Sequence, residues 1–149
     1  MPRSFYSVLK NFHKKFSFLG LGTYRGHWDD ATDAAYARVI ETALTQGITL
    51  FDTAHNYRGE RSEKLLGRLL PQDPDLIICS KGGFIPRAAE SLQQAGDNQQ
   101  HLLHSRLISD TEFNALHSIR ASYLAHSLQS SLTNLQRNHL DIYYVHNPE

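Results

Sequence analysis

Residues 47–57 read Gly-Ile-Thr-Leu-Phe-Asp-Thr-Ala-His-Asn-Tyr, a short apolar run that ends at an acidic residue and opens into a polar loop. The run at 48–51 is rich in apolar and β-branched side chains, which is typical of a buried strand. Gly47 stands where a preceding helix usually stops, and Asp52 ends the run. The stretch therefore predicts the end of a helix, a strand over 48–51 and a polar loop at the carboxyl end of that strand.

Strand and helix patterns alternate on both sides of this stretch. Apolar runs at 16–22, 75–80 and 141–145 predict three further strands. Helices are predicted from Asp30 or Thr32 to Gly47, from about 61 to Pro71 and from Ser122 to about 136. Their apolar positions are Tyr36, Val39, Ile40, Ala43 and Leu44; Leu65, Leu66, Leu69 and Leu70; and Leu124, Ala125, Leu128, Leu132 and Leu135.

This alternation predicts an α/β fold with a parallel sheet, because a helical crossover is how successive parallel strands connect. A barrel and an open doubly wound sheet both satisfy the pattern. Gly20, Gly22 and Gly26 invite comparison with a dinucleotide fingerprint, but Arg25 stands at the third glycine position. Asp52 also lies about 30 residues on rather than about 20, so the open sheet is the weaker alternative.

Composition argues against several classes of protein. The chain has 149 residues, with 15 basic and 15 acidic residues and no net charge, so we expect no nucleic-acid partner. No run approaches the ~18 apolar residues of a membrane span, so we expect no membrane partner. The single cysteine, Cys79, cannot form an internal disulfide, and the first residues lack a secretory apolar run. These features predict a cytoplasmic protein.

Residues 86–120 interrupt the alternation with a segment rich in Gln, His, Ser and Asn. It is too long for an ordinary connection, so we interpret it as an inserted loop with some helix, acting as a lid or decoration. His101 and His104 within it have helical i, i+3 spacing. No cluster of further ligand residues accompanies them, so solvated histidines are favoured over a metal site.

Polar residues follow each predicted strand, at the carboxyl ends where the functional face of α/β folds lies. The first strand leads into Gly22, Thr23 and Tyr24. Asp52 and Tyr57 follow the second strand, Lys81 the third and His146 the fourth. Each has an ordinary structural explanation by itself, as a helix cap or a solvated group. Four ionisable side chains arriving at one rim from three strands favour a functional site.

The residue types at this rim suit carbonyl chemistry. A tyrosine hydroxyl alone holds its proton too tightly for acid–base work near neutrality, and a neighbouring ammonium stabilises its anion. A carboxylate such as Asp52 would hold the Lys81 ammonium in place, while a neutral His146 would hydrogen-bond a carbonyl oxygen. Reduction of that carbonyl would require a hydride from a bound cofactor.

These residues carry a resemblance to the aldo-keto reductases. The stretch 47–57, followed by Ser-Glu-Lys-Leu-Leu-Gly at 62–67, resembles the signature of that family. The resemblance spans residues 16–149 apart from the insertion. Further matching stretches are Gly-Leu-Gly-Thr at 20–23, Ile-Cys-Ser-Lys at 78–81 and Leu-Asp-Ile-Tyr-Tyr-Val-His-Asn-Pro at 140–148.

The resemblance implies an eight-stranded (β/α)8 barrel and NADP(H)-dependent interconversion of small carbonyl compounds and alcohols, with NAD(H) left as an alternative cofactor. It implies that Tyr57 is the general acid, that Lys81 and Asp52 tune it and that His146 orients the carbonyl. Residues implied to line the nicotinamide end of the cofactor are Gly22, Thr23, Tyr24 and Asp52.

The resemblance also bears on the outlying parts of the chain. It implies that Met1 to about Lys15 form a hairpin that plugs the barrel, and Trp28 is a candidate wall of the pocket. Substrate identity and reaction direction stay open.

The length of the chain is short for this fold, since an eight-unit barrel typically uses about 250 residues. We therefore expect residues 1–149 to be the N-terminal half of the barrel, with four strand–helix units and the insertion. The alternative is a truncated, non-catalytic half barrel that acts only by association. Because a half barrel leaves sheet edges unpaired, we also expect self-association.

Overall fold

The computed structural model describes residues 14–86 and 100–148, and their strands form one four-stranded parallel sheet. Each strand pairs with the next in chain order. The strands are β1 (Gly20–Gly22), β2 (Leu50–Asp52), β3 (Ile77–Gly82) and β4 (Ile142–Val145). The helices are α1 (Asp30–Thr45), α2 (Arg61–Leu69), α3 (Asp110–Ala115) and α4 (Ala121–Leu135).

The strand order distinguishes the two architectures that the sequence left open. A doubly wound sheet changes direction at a switch point, whereas here the order is β1-β2-β3-β4. A barrel is built by adding each strand beside the previous one. The described sheet is therefore a section of a barrel wall.

Strands β2 and β3 each begin two residues later than the sequence predicted. The run at 48–51 becomes β2 at Leu50–Asp52, and the run at 75–80 becomes β3 at Ile77–Gly82. The parallel ladder decides these bounds, because it runs from the pair Leu50–Ile77 to the pair Asp52–Cys79, and β3 then pairs with β4 as far as Gly82. Asp52 and Lys81 consequently lie inside their strands rather than after them.

The first strand is much shorter than the predicted run at 16–22. Only Gly20–Gly22 pairs with β2. Ahead of it, the Ser17 amide donates to Thr49 Oγ1 at 3.0 Å, and the Thr49 amide donates to Ser17 Oγ at 3.0 Å. These side-chain bonds take the place of a backbone ladder. The predicted hairpin at Met1 to about Lys15 lies outside the described residues, apart from its last two.

The start of α1 is set by Asp29, which precedes both predicted caps, Asp30 and Thr32. The Asp29 carboxylate accepts a hydrogen bond from the Thr32 amide at 2.8 Å, which satisfies a donor that the first turn would leave free. Ile40 and Ala43 are buried as predicted, whereas Val39 is exposed.

The main core fills the space between the sheet and helices α1, α2 and α4. It includes Ile40, Phe51, Leu66, Ile78 and Leu135. A smaller cluster joins the insertion to α4 and includes Ile85, Leu102, Ile108 and Tyr123. In the described part of the insertion, residues 100–104 and α3 are helical. Of the described helices, none is long and apolar enough to cross a membrane.

The buried face of α4 differs from the predicted one. Its buried side chains are Tyr123, Ser127, Ser131 and Leu135, whereas the predicted leucines at 124, 128 and 132 are only partly buried and Ala125 is exposed. Helices α2 and α4 approach closely at the C-terminal end of this face. A Cβ added at Gly67 would lie 2.2 Å from the Asn134 carbonyl oxygen.

Candidate active site

An ion pair between adjacent strands forms the centre of the polar rim. Asp52 ends β2 and is in register with Cys79, so Lys81 lies two residues further along β3 on the same face. The Lys81 ammonium donates to both carboxylate oxygens of Asp52, at 2.7 and 2.5 Å. It also donates to the Thr53 carbonyl oxygen at 2.7 Å. The ammonium therefore donates to three acceptor oxygens, two from one carboxylate and one from the backbone.

Tyr57 lies beside this pair on the loop between β2 and α2. The Lys81 ammonium nitrogen is 4.8 Å from the centroid of the Tyr57 ring. The Tyr24 ring lies 5.0 Å from the same ring, centroid to centroid, and the His146 ring lies 5.9 Å away in an edge-on arrangement. The structure therefore brings together the four ionisable side chains that the sequence predicted to converge.

His146 is the first residue after β4. Its amide donates to the Gly82 carbonyl oxygen at 2.7 Å, which continues the ladder beyond the strand. Its own carbonyl accepts from His117 Nε2 at 2.7 Å, and its ring meets the Phe84 ring edge-on at 4.9 Å. Nδ1 is buried and has no partner among the described residues, which leaves Nε2 as the ring nitrogen available to a ligand.

The surroundings of His146 favour its uncharged form. Burial lowers the pKa of the imidazole, and the positive charges of Lys81 and His117 lower it further, with only partial opposition from Asp52. A neutral imidazole is the form that the sequence reasoning expected at this place.

Residues 22–24 lie beside Asp52 because Gly22 pairs with it in the sheet. Thr23 is buried, and both its amide and its hydroxyl donate to the Asp52 carbonyl oxygen, at 3.0 and 3.2 Å. The Thr23 hydroxyl thus links the residues that follow β1 to the end of β2. Tyr24 is exposed, and a Cβ added at Gly22 would meet no atom within 4 Å. Open space therefore adjoins the ion pair on this side.

A cavity of about 250 Å³ opens next to the Tyr57 loop. Asn56, which precedes Tyr57, contributes a side-chain oxygen that is buried and has no partner among the described residues. The wall also includes Trp28, a candidate from the sequence. The remaining lining residues are Phe84, Ile85, Ala115 and Leu116.

Residues 18–149 match the Aldo/keto reductase family. The chain belongs to this oxidoreductase family. It is 28% identical over 138 residues to the aldo-keto reductase YhdN of Bacillus subtilis strain 168, covering 89% of this chain and 35% of that protein. It is also 28% identical over 125 residues to a D-threo-aldose 1-dehydrogenase of a Pseudomonas species, covering 78% of this chain and 35% of that protein.

Solved aldo-keto reductases share the fold. A thermostable aldo-keto reductase, Tm1743, crystallised with the inhibitor epalrestat, matches with a TM-score of 0.62 and 25% identity, covering 93% of this chain and 41% of that one. An enzyme of Klebsiella pneumoniae, crystallised with NADPH, matches with a TM-score of 0.56 and 19% identity, over 85% of this chain and 34% of that one. The chain thus spans well under half the length of these relatives.

Some neighbours of the aldo-keto reductase rim were not found by sequence reasoning. Phe84 follows Lys81 by three residues, a local signal that was available but unspecific. His117 and Leu116 lie at the end of the insertion, where no periodicity marks them. Their places depend on an isolated bridge between Phe84 and His117, which folds the insertion back toward β3.

Buried polar contacts fix the loop that carries Tyr57 against α4. His55 Nε2 lies 3.1 Å from Glu60 Oε1, and its Nδ1 lies 3.1 Å from Ser127 Oγ on α4. Ser127 in turn accepts from the Tyr143 hydroxyl at 3.1 Å.

In the described ranges 14–86 and 100–148, no three His, Cys, Asp or Glu side chains are grouped to hold a metal ion.

Proposed function

We propose that this rim performs the acid–base part of a nicotinamide-dependent interconversion of small carbonyl compounds and alcohols. The observation that carries the proposal is the position of Lys81, whose ammonium binds the Asp52 carboxylate and lies against the Tyr57 ring. The nearby His146 ring supplies a second polar group for a carbonyl oxygen. This set matches the demands of carbonyl polarisation and proton transfer.

In the reduction direction, Tyr57 donates its hydroxyl proton to the carbonyl oxygen as the alcohol forms. The Lys81 ammonium stabilises the phenolate that remains, and Asp52 holds that ammonium in place through two hydrogen bonds. Neutral His146 orients the carbonyl by a hydrogen bond from Nε2. When bound, a nicotinamide supplies the hydride that the carbonyl carbon receives. In the alcohol direction the Tyr57 phenolate accepts the proton.

The rim has room for the nicotinamide end of a cofactor. The open space over Gly22 and the exposed ring of Tyr24 suit a flat heterocycle next to Asp52. Gly22, Thr23, Tyr24 and Asp52 would line this end, with the Thr23 side chain acting through its bond to Asp52. Since the Klebsiella relative was crystallised with NADPH, we favour NADP(H) over NAD(H).

The cavity suits a carbonyl substrate with an apolar body. Trp28, Phe84 and Leu116 offer apolar walls, and the Asn56 side chain adds a polar amide to the lining. A pocket of this type gains affinity from apolar contact and orientation from its few polar atoms.

The direct test is NADPH-dependent reduction of a simple aldehyde by the purified chain and by its Tyr57→Phe variant. Losing a general acid costs about 10²- to 10⁴-fold in rate, so turnover should fall by that factor while NADPH binding persists. The matched control is Tyr36→Phe, which removes a hydroxyl on α1 that donates to the Arg25 carbonyl oxygen and should keep turnover. Wild-type turnover that survives in Tyr57→Phe would contradict the proposal.

A second candidate is a non-catalytic unit that acts by association. The observation that favours it is the exposure of Tyr144 and Val145 on β4, which no other described strand pairs on its outer side. This candidate predicts neither NADPH binding nor turnover by the 149-residue chain. Turnover that depends on Tyr57 would exclude it.

A further inference from the structure

A buried arginine adjoins the proposed general acid. Arg58 follows Tyr57 directly and is only 3% exposed, which is unusual for an arginine. Its backbone has a φ of 50°, in the left-handed region. That conformation turns the chain away after Tyr57, and the guanidinium lies between the β2–α2 loop, the β1–α1 loop and α1.

The Arg58 guanidinium binds the β1–α1 loop on both sides of Trp28. Nε donates to the His27 carbonyl oxygen at 2.8 Å, and Nη2 donates to the Asp29 carbonyl oxygen at 3.3 Å. Trp28 is the residue between these two carbonyls, and it lines the cavity next to Tyr57. The fork of guanidinium donors is suited to such a double contact, whereas a lysine ammonium is a point charge.

Helix α1 holds the guanidinium in place. Nη2 donates to Asp33 Oδ1 at 2.5 Å, and Cζ lies 5.4 Å from the centroid of the Tyr36 ring. Asp33 has another partner, since Arg61 Nη2 donates to its Oδ2 at 2.8 Å. Removal of the Arg58 charge would therefore leave Asp33 paired.

We propose that Arg58 is a positioning residue that sets the place of the Trp28 wall relative to Tyr57. The inference rests on the proposed function only in treating the cavity as the substrate pocket. Through its backbone Arg58 is fixed to Tyr57, and through its side chain it is fixed to both neighbours of Trp28. Arg58 thereby fixes the position of the Trp28 side of the cavity relative to the proton donor Tyr57.

The chain provides its own probe, because Trp28 is its single tryptophan. Acrylamide quenching of tryptophan fluorescence therefore reports the accessibility of this one side chain. Trp28 is 51% exposed, so freeing it should raise the quenching constant by at most about two-fold. We expect most of that rise in Arg58→Met and a smaller rise in Arg58→Lys, which retains the charge.

The matched control is Arg61→Met, which removes a second arginine bound to Asp33 without touching the loop carbonyls. If Arg58 had only a structural role, both variants would change the melting temperature, and the quenching constant of Trp28 would be the same in both. The proposal requires quenching to rise in Arg58→Met and to stay at the wild-type value in Arg61→Met, with both variants folded by circular dichroism. Unchanged quenching in folded Arg58→Met, or an equal rise in the control, overturns it.

Failure of folding also has a defined meaning. If both Arg58→Met and Arg58→Lys unfold, Arg58 supports the fold as a whole and the positioning role is refuted. None of these measurements requires NADPH or turnover, so their failure is distinguishable from failure of the proposed function. Where turnover is measured, we expect Arg58→Lys to raise KM for a bulky aldehyde more than it lowers kcat.

Discussion

His146 shows how neighbours set the chemistry of one side chain. Burial disfavours its charged form, and the positive charge of Lys81 adds to that effect. The sequence indicated a histidine after β4 and its chemistry favoured a neutral imidazole, but the groups that favour this form are visible only in the structure. The ring reaches this environment because the ladder to Gly82 continues through its backbone.

We expect the His146 imidazole to titrate below its ordinary pKa of 6.5. The measurement is a proton NMR titration, with the resonance assigned by its absence in His146→Gln. Lys81→Met should raise the midpoint, because it removes a positive charge that disfavours imidazolium. Lys64→Met, on the exposed side of α2, is the matched control and should leave it unchanged. A wild-type midpoint at or above 6.5 would contradict the assignment.

Among elements, the β2–α2 loop at 53–60 depends on a buried ion pair. Burial opposes the charge on His55, but the hydrogen bond to Glu60 and the charges of Glu63 and Glu60 outweigh it and raise the His55 pKa. Burial also opposes the Glu60 charge, yet the bond to His55 and nearby cations lower the Glu60 pKa. Both groups are thus stabilised in their charged forms within the folded protein.

These shifts determine the pH range in which the pair stabilises the fold. A raised His55 pKa contributes stability that is complete below about 6.5 and is lost as the pH rises through the folded value. A lowered Glu60 pKa contributes stability above about 4.5 that is lost as the pH falls through its folded value. The contribution is therefore largest between these two pH values.

Glu60→Gln should consequently destabilise the protein most between about pH 4.5 and 6.5, with a smaller deficit outside that range. Breaking one side of a buried pair costs about 3 kcal/mol, measured as the change in unfolding free energy. The control Lys64→Gln removes the exposed partner of Glu60, 3.4 Å away, and should cost only about 0.5 kcal/mol. A pH-independent deficit in Glu60→Gln would show that the pair is not the cause.

The contact between α2 and α4 depends on the missing side chain of Gly67. In an open helix, Gly→Ala would gain up to about 1 kcal/mol of helix propensity. Here the new Cβ would lie 2.2 Å from the Asn134 carbonyl oxygen and 2.8 Å from the Leu135 carbonyl carbon. Both atoms belong to backbone, so the helices would have to separate.

Gly67→Ala should therefore destabilise the protein by about 1–3 kcal/mol, the reverse of its propensity effect. Chemical denaturation measures the change. The control is Arg68→Ala, the next residue of the same helix, whose side chain is 57% exposed and whose replacement should be nearly neutral. A stabilised Gly67→Ala variant would mean that α2 and α4 are further apart than described.

For the whole molecule, the outer edges of β1 and β4 govern the expected behaviour in solution. An unpaired parallel edge presents backbone donors and acceptors to another chain. Val145 on β4 is 44% exposed. We therefore expect the 149-residue chain to self-associate, which light scattering after size-exclusion chromatography measures.

A charge on the strand should oppose that association. Val145→Lys should shift the chain toward a monomer, because lysines on edge strands discourage pairing. Val39→Lys is the matched control, since Val39 is 47% exposed on the outer face of α1 and should leave the distribution unchanged. A wild-type chain that is monomeric at all concentrations would refute self-association through the edges.

The sequence by itself determined the succession of strands and helices and the rim residues Asp52, Tyr57, Lys81 and His146. These follow from local patterns, since strand runs and helical periods are short-range and parallel connections bring carboxyl ends to one side. Strand bounds such as those of β2 were missed because the ladder, not hydrophobicity, sets them.

Only the tertiary structure decided which groups surround that rim. Three examples join residues that are far apart in the chain. They are the buried serine face of α4, the hydrogen bond from His117 to His146, and the hydrogen bonds from Arg58 to the carbonyls on either side of Trp28. Such contacts depend on how helices and loops pack against the sheet. A local sequence pattern does not predict that packing, because residues far apart in the chain come into contact only when the fold brings their atoms close together.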